Sequence, residues 1–228
     1  MLQCCALGDI SLIQWCSNRG VDINECGLLE QSPLMVACRY NHTELVRMLL
    51  DKEADIDKCD LMNLSPLIIS CEHGHTEIVR ILLDKGVTFD EFDMKRRTPI
   101  MLACDQGYTE IVRMLLDIGA DYNVCDYRSN SPAMVACRHG YVEIMRMLLE
   151  KDVDYELYDN EGRTLLMIAC ECGHTEIARI LLDKGADYTE CNYFGRLPEH
   201  YASVMGHNDI VTMITEQYEK NKDTMQNV

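Results

Sequence analysis

The chain is 228 residues long, 47% hydrophobic and 26% charged, a globular composition long enough to bury a substantial core. Its formal net charge of -17 excludes a general nucleic-acid binder, which needs cations to neutralise a row of phosphates. No apolar run approaches the ~18 residues of a membrane span, and MLQCCALGDISLIQWC has no basic residues ahead of an apolar stretch that Asp9 interrupts, which argues against a signal peptide.

Read in chain order, the sequence is one unit repeated. Residues 1–31 hold a truncated first copy, LQCCALGDISLIQWCSNRGVDIN, which begins directly in a first helix. Full copies start at Ser32 (SPLMVACRYNHTELVRMLLDKEADID), Ser65, Thr98, Ser131 and Thr164, each 33 residues after the last. They delimit units 32–64, 65–97, 98–130, 131–163 and 164–196. A degenerate capping copy occupies 197–220, and the polar residues 221–228 read as a frayed tail.

Within each unit, Ser or Thr followed by Pro predicts an N-cap and a first-turn proline. A short apolar helix follows, then Gly74, Gly107, Gly140 or Gly173, then a second helix with a broad apolar stripe such as Ile78, Val79, Ile81, Leu82 and Leu83. Gly86, Gly119 and Gly185 stand where a helix C-terminus calls for a left-handed residue. The segment after it has the turn chemistry of a protruding hairpin. The class predicted is all-α.

These motifs, [ST]-P-L, then G-H-T-E-I-V-R-x-L-L, then G-A-D, resemble those of the ankyrin-repeat family over nearly the whole chain. The resemblance implies helix-turn-helix pairs stacked into a solenoid with projecting β-hairpin loops. It also implies a non-catalytic protein–protein interaction module, an adaptor, scaffold or regulator. Physics agrees with the stacking, since one pair cannot bury its own apolar faces. The chain departs from the family where the histidine of T-P-L-H would stand: Met35, Ile68, Met101, Met134 and Met167 replace it, and only His200 keeps it. Apolar packing is expected to take over from that histidine's hydrogen bonds. Glu53 and Asp152 occupy the helix-ending glycine position, so the second and fifth units are expected to be the looser ones.

The thirteen cysteines invite other chemistry. Cys5, Cys38, Cys71, Cys104, Cys137 and Cys170 recur at the end of the first helix, and Cys26, Cys59, Cys125 and Cys191 recur in the hairpin. Stacked repeats hold equivalent positions beyond the ~7 Å Cα reach of a disulfide, so these read as small buried thiols in a reducing compartment, the cytoplasm or the nucleus. Cys170, Cys172 and His174 form the most tempting metal cluster, but residues two apart on a helix face different ways. No cofactor and no metal are expected. The chain contains no phosphate loop, no G-x-S-x-G elbow and no H-E-x-x-H, and buried thiols are poor nucleophiles. The sequence points away from an enzyme.

The second helices repeat Glu44-Arg47-Asp51 as Glu77-Arg80-Asp84 and onward, which predicts ladders of i,i+3 and i,i+4 ion pairs along each helix. Asp22, Asp55, Asp121, Asp154 and Asp187 serve the loop after it. The remaining acid favours solubility and would steer a protein or peptide partner with basic segments.

In a repeat protein the informative residues are exposed ones that break the repeat. The hairpin tips supply Leu28, Leu29, Leu61, Met62, Leu64, Met94, Arg96, Tyr127, Arg128, Tyr193 and Phe194, and the ends of first helices add Tyr40, His73, Gln106 and His139. Loop tips are normally polar, so this series is the expected partner-binding surface, on the tips and the concave face of the first helices. Lys95, Arg96 and Arg97 make a local basic spot. An alternative lies at the first copy, where Leu2, Leu7 and Leu12 are expected on an incompletely capped face that would join the chain to itself or to the rest of a larger signalling protein.

Overall fold

A stack of helix pairs accounts for the fold. The structure, a computed structural model, describes residues 1–226 except 152, 153, 155 and 156, with no side chain described at 221 or 223–226. It divides into two compact units, Met1–Asp121 and Tyr122–Val228. The first unit holds α1 (Leu2–Leu7), α2 (Ile10–Ser17), α3 (Pro33–Arg39), α4 (Thr43–Asp51), α5 (Pro66–Glu72), α6 (Thr76–Asp84), α7 (Pro99–Gln106) and α8 (Thr109–Asp117). First helices pack in one layer, α1 on α3, α3 on α5 and α5 on α7, and second helices in another, α4 on α6 and α6 on α8. The second unit repeats the plan with α9 (Pro132–His139), α10 (Val142–Glu150), α11 (Leu165–Cys172), α12 (Thr175–Asp183), α13 (Pro198–Met205) and α14 (Asn208–Gln226). The segment read as a tail from residue 221 is thus helical as far as Gln226, and residues 227 and 228 lie outside the described residues.

The helices start where the sequence caps them. The hydroxyls of Ser32, Ser65, Thr98, Ser131 and Thr164 accept the backbone N–H three residues on, at 3.2–3.5 Å. All five caps are buried, which fixes each first helix against its neighbours. The departures from the family's histidine sit in the core: Met35, Ile68, Met101, Met134 and Met167 are buried. Met35 keeps a trace of the lost polar role, since its Sδ accepts from the Ser32 N–H at 3.4 Å.

Within each unit, imidazole rings tie a repeat to the one before. His42 Nε2 meets the Ala6 carbonyl at 3.0 Å and His75 Nδ1 meets that of Cys38 at 2.7 Å. In the second unit His174 and His207 reach the carbonyls of Arg138 and Glu171 at 3.1 and 3.3 Å. Each bond reaches a carbonyl in the last turn of a first helix, where intrahelical partners run out. Burial, partly offset by the hydrogen bond to Cys38 and reinforced by the neighbouring His73, lowers the pKa of His75 and so favours its neutral ring. Tyr108 takes the ring position in its own repeat, and a Cβ on Gly74 beneath it would stand 2.5 Å from that ring. At φ 73° that position also favours glycine on backbone grounds.

Two expectations need correction. No described residue lies in a strand, so the projecting loops are turns and not β-hairpins. Neighbouring turns share single backbone bonds instead, Leu61 N–H to Leu29 O at 3.1 Å in the first unit and Tyr193 N–H to Glu161 O at 3.3 Å in the second. The ion pairs of the second helices also run mainly between repeats: Arg47–Glu77 at 2.5 Å, Arg80–Glu110 at 3.3 Å and Arg146–Glu176 at 2.5 Å join residues 30 apart. The i,i+3 pairs Arg80–Glu77 and Arg113–Glu110 are longer, at 3.7 and 3.6 Å. Parallel stacking brings the Arg of one helix level with the Glu of the next. All these side chains are about half exposed, so each pair is worth tenths of a kcal/mol.

Glu53 does adopt the left-handed conformation, at φ 63°, that Gly86, Gly119 and Gly185 adopt in their repeats. Its counterpart Asp152 lies outside the described residues. A side chain in that region costs about 1 kcal/mol. Glu53→Gly is therefore expected to stabilise the protein by about 0.5–1 kcal/mol in urea unfolding, and a loss of stability would contradict the strain.

Candidate functional site

The projecting turns are built around one repeated acceptor. Asp60 Oδ1 accepts from the N–H groups of Met62 and Leu64 at 2.8 and 3.0 Å. Asp93 does the same for Lys95 and Arg97, Asp126 for Arg128 and Asn130, Asp159 for Glu161 and Arg163, and Asn192 for Phe194 and Arg196, all at 2.8–3.0 Å. The fourth residue of each turn is left-handed: Asn63, Arg96, Ser129, Gly162 and Gly195 lie at φ 58–73°. Sequence reading missed these acceptors, although their 33-residue recurrence was the signal. The turn needs the acceptor and a residue that tolerates positive φ. It places no demand on the two residues between them.

Those two positions carry the candidate residues. In the first unit Leu28 (92% exposed), Leu29, Leu61 (62%), Met62 and Met94 face solvent, with Tyr40 at the end of α3. His73 and Gln106 are also exposed, at the ends of α5 and α7. Leu64 is half-buried at the base of its turn, where its backbone N–H serves Asp60, so it belongs to the scaffold. Tyr40 stacks on its own repeat's His42, with ring centroids 6.3 Å apart. The expected basic spot is smaller than three residues. Arg97 is held by Asp93 at 2.7 Å and Glu72 at 3.6 Å, which leaves the exposed Lys95 and Arg96, the latter over the Phe92 ring.

In the second unit Tyr127 (68% exposed), Arg128 and His139 are exposed, with Tyr193 (72%) and Phe194 (69%) on the last turn. Tyr193 is not free-standing: its ring lies on Gly162 of the preceding turn, where a Cβ would meet it at 2.6 Å. An ion network supports these turns. Arg163 donates Nε to Asp159 at 2.8 Å and Nη1 to Glu171 at 2.9 Å. Burial works to raise the Asp159 carboxyl, but the Arg163 hydrogen bonds outweigh it and hold the group below the usual carboxylate range.

The buried thiols are poorly placed for chemistry. Burial pushes Cys38 and Cys170 up to about 12 and also raises Cys71, Cys104 and Cys137. Burial and the carboxylate of Glu91 do the same to Cys59 in the second turn. Of the tempting cluster, Cys170 is buried, Cys172 is half-buried, and His174 is committed to the Arg138 carbonyl. At the first copy, Leu7 and Leu12 are exposed, but Leu2 packs over Gly27, and Trp15, 52% exposed, lies under the Arg19 guanidinium.

Comparison with known proteins agrees with the repeat. A family model described as Ankyrin repeats (3 copies) matches residues 1–93, 90–159 and 134–226. Among solved structures, the crystal structure of the human ASB11 ankyrin repeat domain is similar in fold, with a TM-score of 0.80 over 90% of this chain and 94% of that one, at 23% sequence identity. No curated protein matches the chain.

Removing a turn acceptor tests the geometry. Asp126→Ala is expected to cost about 1–3 kcal/mol in urea unfolding, since two backbone donors lose their partner. Asp126→Asn should cost well under half of that, because an asparagine already does this work at Asn192. Equal losses would show that charge rather than the turn sets the choice.

Proposed function

Because this chain belongs to the ankyrin-repeat family, whose repeats are in general non-catalytic modules of protein–protein interaction, we propose that it is an adaptor, scaffold or regulator that binds a protein or extended peptide. Binding uses the turn tips and the exposed ends of the first helices. No cofactor takes part, and the protein works in the cytoplasm or the nucleus. One observation carries the reading: Leu28, Leu61, Met62, Tyr127, Tyr193 and Phe194 stand in solvent at positions where the turn imposes no apolar residue. Exposed leucine, methionine and tyrosine of this kind supply contact area at low entropic cost once a partner covers them. No helix among the described residues is long and apolar enough to cross a membrane.

A second reading, self-association, draws on the exposed Leu7, Leu12 and Trp15 of the first copy. One experiment separates the two. Wild-type protein, a Leu61→Ser/Met62→Ser variant and a Tyr127→Ser/Tyr193→Ser variant are compared in a quantitative pull-down from cell extract, with circular dichroism as the folding control. The proposal expects a protein captured by wild type and reduced at least tenfold with one or both variants. Equal capture would place recognition elsewhere, and self-capture with no other protein would favour the first-copy face.

A further inference from the structure

The cations of the second unit are not all used. Arg163 is only 12% exposed and is neutralised by Asp159, Glu171 and, at 3.7 Å, Glu161. Arg138 differs. Its Nη2 donates to Asn130 Oδ1 at 3.1 Å and stands 3.9 Å from Asp159, a carboxylate already accepting two backbone N–H groups and Arg163. No other acceptor among the described residues meets its guanidinium, whose side chain is 37% exposed. The exposed guanidinium of Arg128 has no acceptor among the described residues at all. Both open onto one cleft of about 490 Å³ between the turns that begin at Asp126 and Asp159, with Asn130 and Asn160 in its wall. Ser129 Oγ donates to Asn160 Oδ1 at 2.7 Å and Asn160 N–H to Arg128 O at 3.3 Å, so the walls are tied together before any ligand arrives.

We propose that this cleft takes an aspartate or glutamate side chain of the partner. A carboxylate matches the guanidinium fork in plane and spacing, and the free face of Arg138 offers it paired donors with Arg128 as a second cation. Tyr127, adjacent to Arg128 and exposed, covers an apolar residue next to the acidic one. The partner segment recognised here is therefore acidic, opposite in sign to the basic segment that the net charge of -17 alone suggests. The surplus acid is spread over the chain, whereas three arginines face two carboxylates in this lining, Asp159 held by Arg163 and the turn backbone and the half-exposed Glu161 standing 3.7 Å from Arg163. The inference rests on the binding function proposed above and names the chemistry of its partner.

The test is selection of random displayed peptides on the full chain, on Arg128→Gln and on Arg128→Gln/Arg138→Gln. Wild type is expected to enrich peptides with Asp or Glu beside an apolar residue. A selected peptide should lose at least tenfold in affinity when its acid becomes the amide, and as much against the double variant. Arg128→Gln removes no contact of the fold, so a loss with that variant alone cannot come from misfolding. Peptides enriched without acidic residues, or held equally by the double variant, would overturn the cleft but leave the binding module standing. No enrichment on any protein would overturn the cleft, and the pull-down decides the wider reading separately. Displacement by inorganic phosphate at lower concentration than by acetate would overturn the carboxylate in favour of a phosphate group.

Discussion

A pair of helices with nine residues or fewer in each cannot bury its own apolar faces, and every other feature of this protein follows from that deficit. The next repeat must cover what the last leaves open. The same positions therefore become core in every copy, which is why a methionine or isoleucine serves where the family has a histidine and why buried thiols recur at 33-residue spacing. The contacts that look local are also between copies: imidazoles reach back to carbonyls of the preceding first helix, and glutamates pair with arginines 30 residues away.

Stacking fixes the ends of each pair, and the turn between pairs has then only to reverse the chain. A single Asp or Asn oxygen does this by accepting two backbone N–H groups. Four of the turn aspartates are thus structural despite their charge, and Asp60, Asp93 and Asp159 are buried. The acid left on the outside is unevenly matched to the base, and Arg128 and Arg138 remain with donors to offer. The acceptor belongs to the fold, whereas the turn itself dictates no side chain at the two residues after it, most of which are exposed, Tyr193 also leaning on Gly162.

The scaffold was legible in the sequence because it is periodic. Ser-Pro and Thr-Pro caps, ring-bearing turns after glycine and the stripe of Ile78, Val79 and Leu82 recur in register, and the structure places each where its period implies. The strain at Glu53 was legible for the same reason, as a break in a glycine series. Contacts between copies were not. A helical wheel shows Arg80 near Glu77, but only parallel stacking reveals Glu110 beside it. Composition could not show that Arg97 is bound by Asp93 and Glu72, nor that Tyr193 leans on Gly162. The turn acceptors were periodic and still missed, because an aspartate in a loop reads as solvation until its oxygen is seen to hold two N–H groups.

The central claim is that repeated positions carry stability and tip positions do not. A saturation mutagenesis scan read out as resistance to proteolysis measures this at every residue. The account predicts intolerance with a 33-residue period at the caps, the core and the turn acceptors, with Leu28, Leu61, Met62 and Tyr127 accepting polar residues within about 0.5 kcal/mol. Tips as intolerant as Leu82 would contradict it, because their apolar side chains would then be part of the fold.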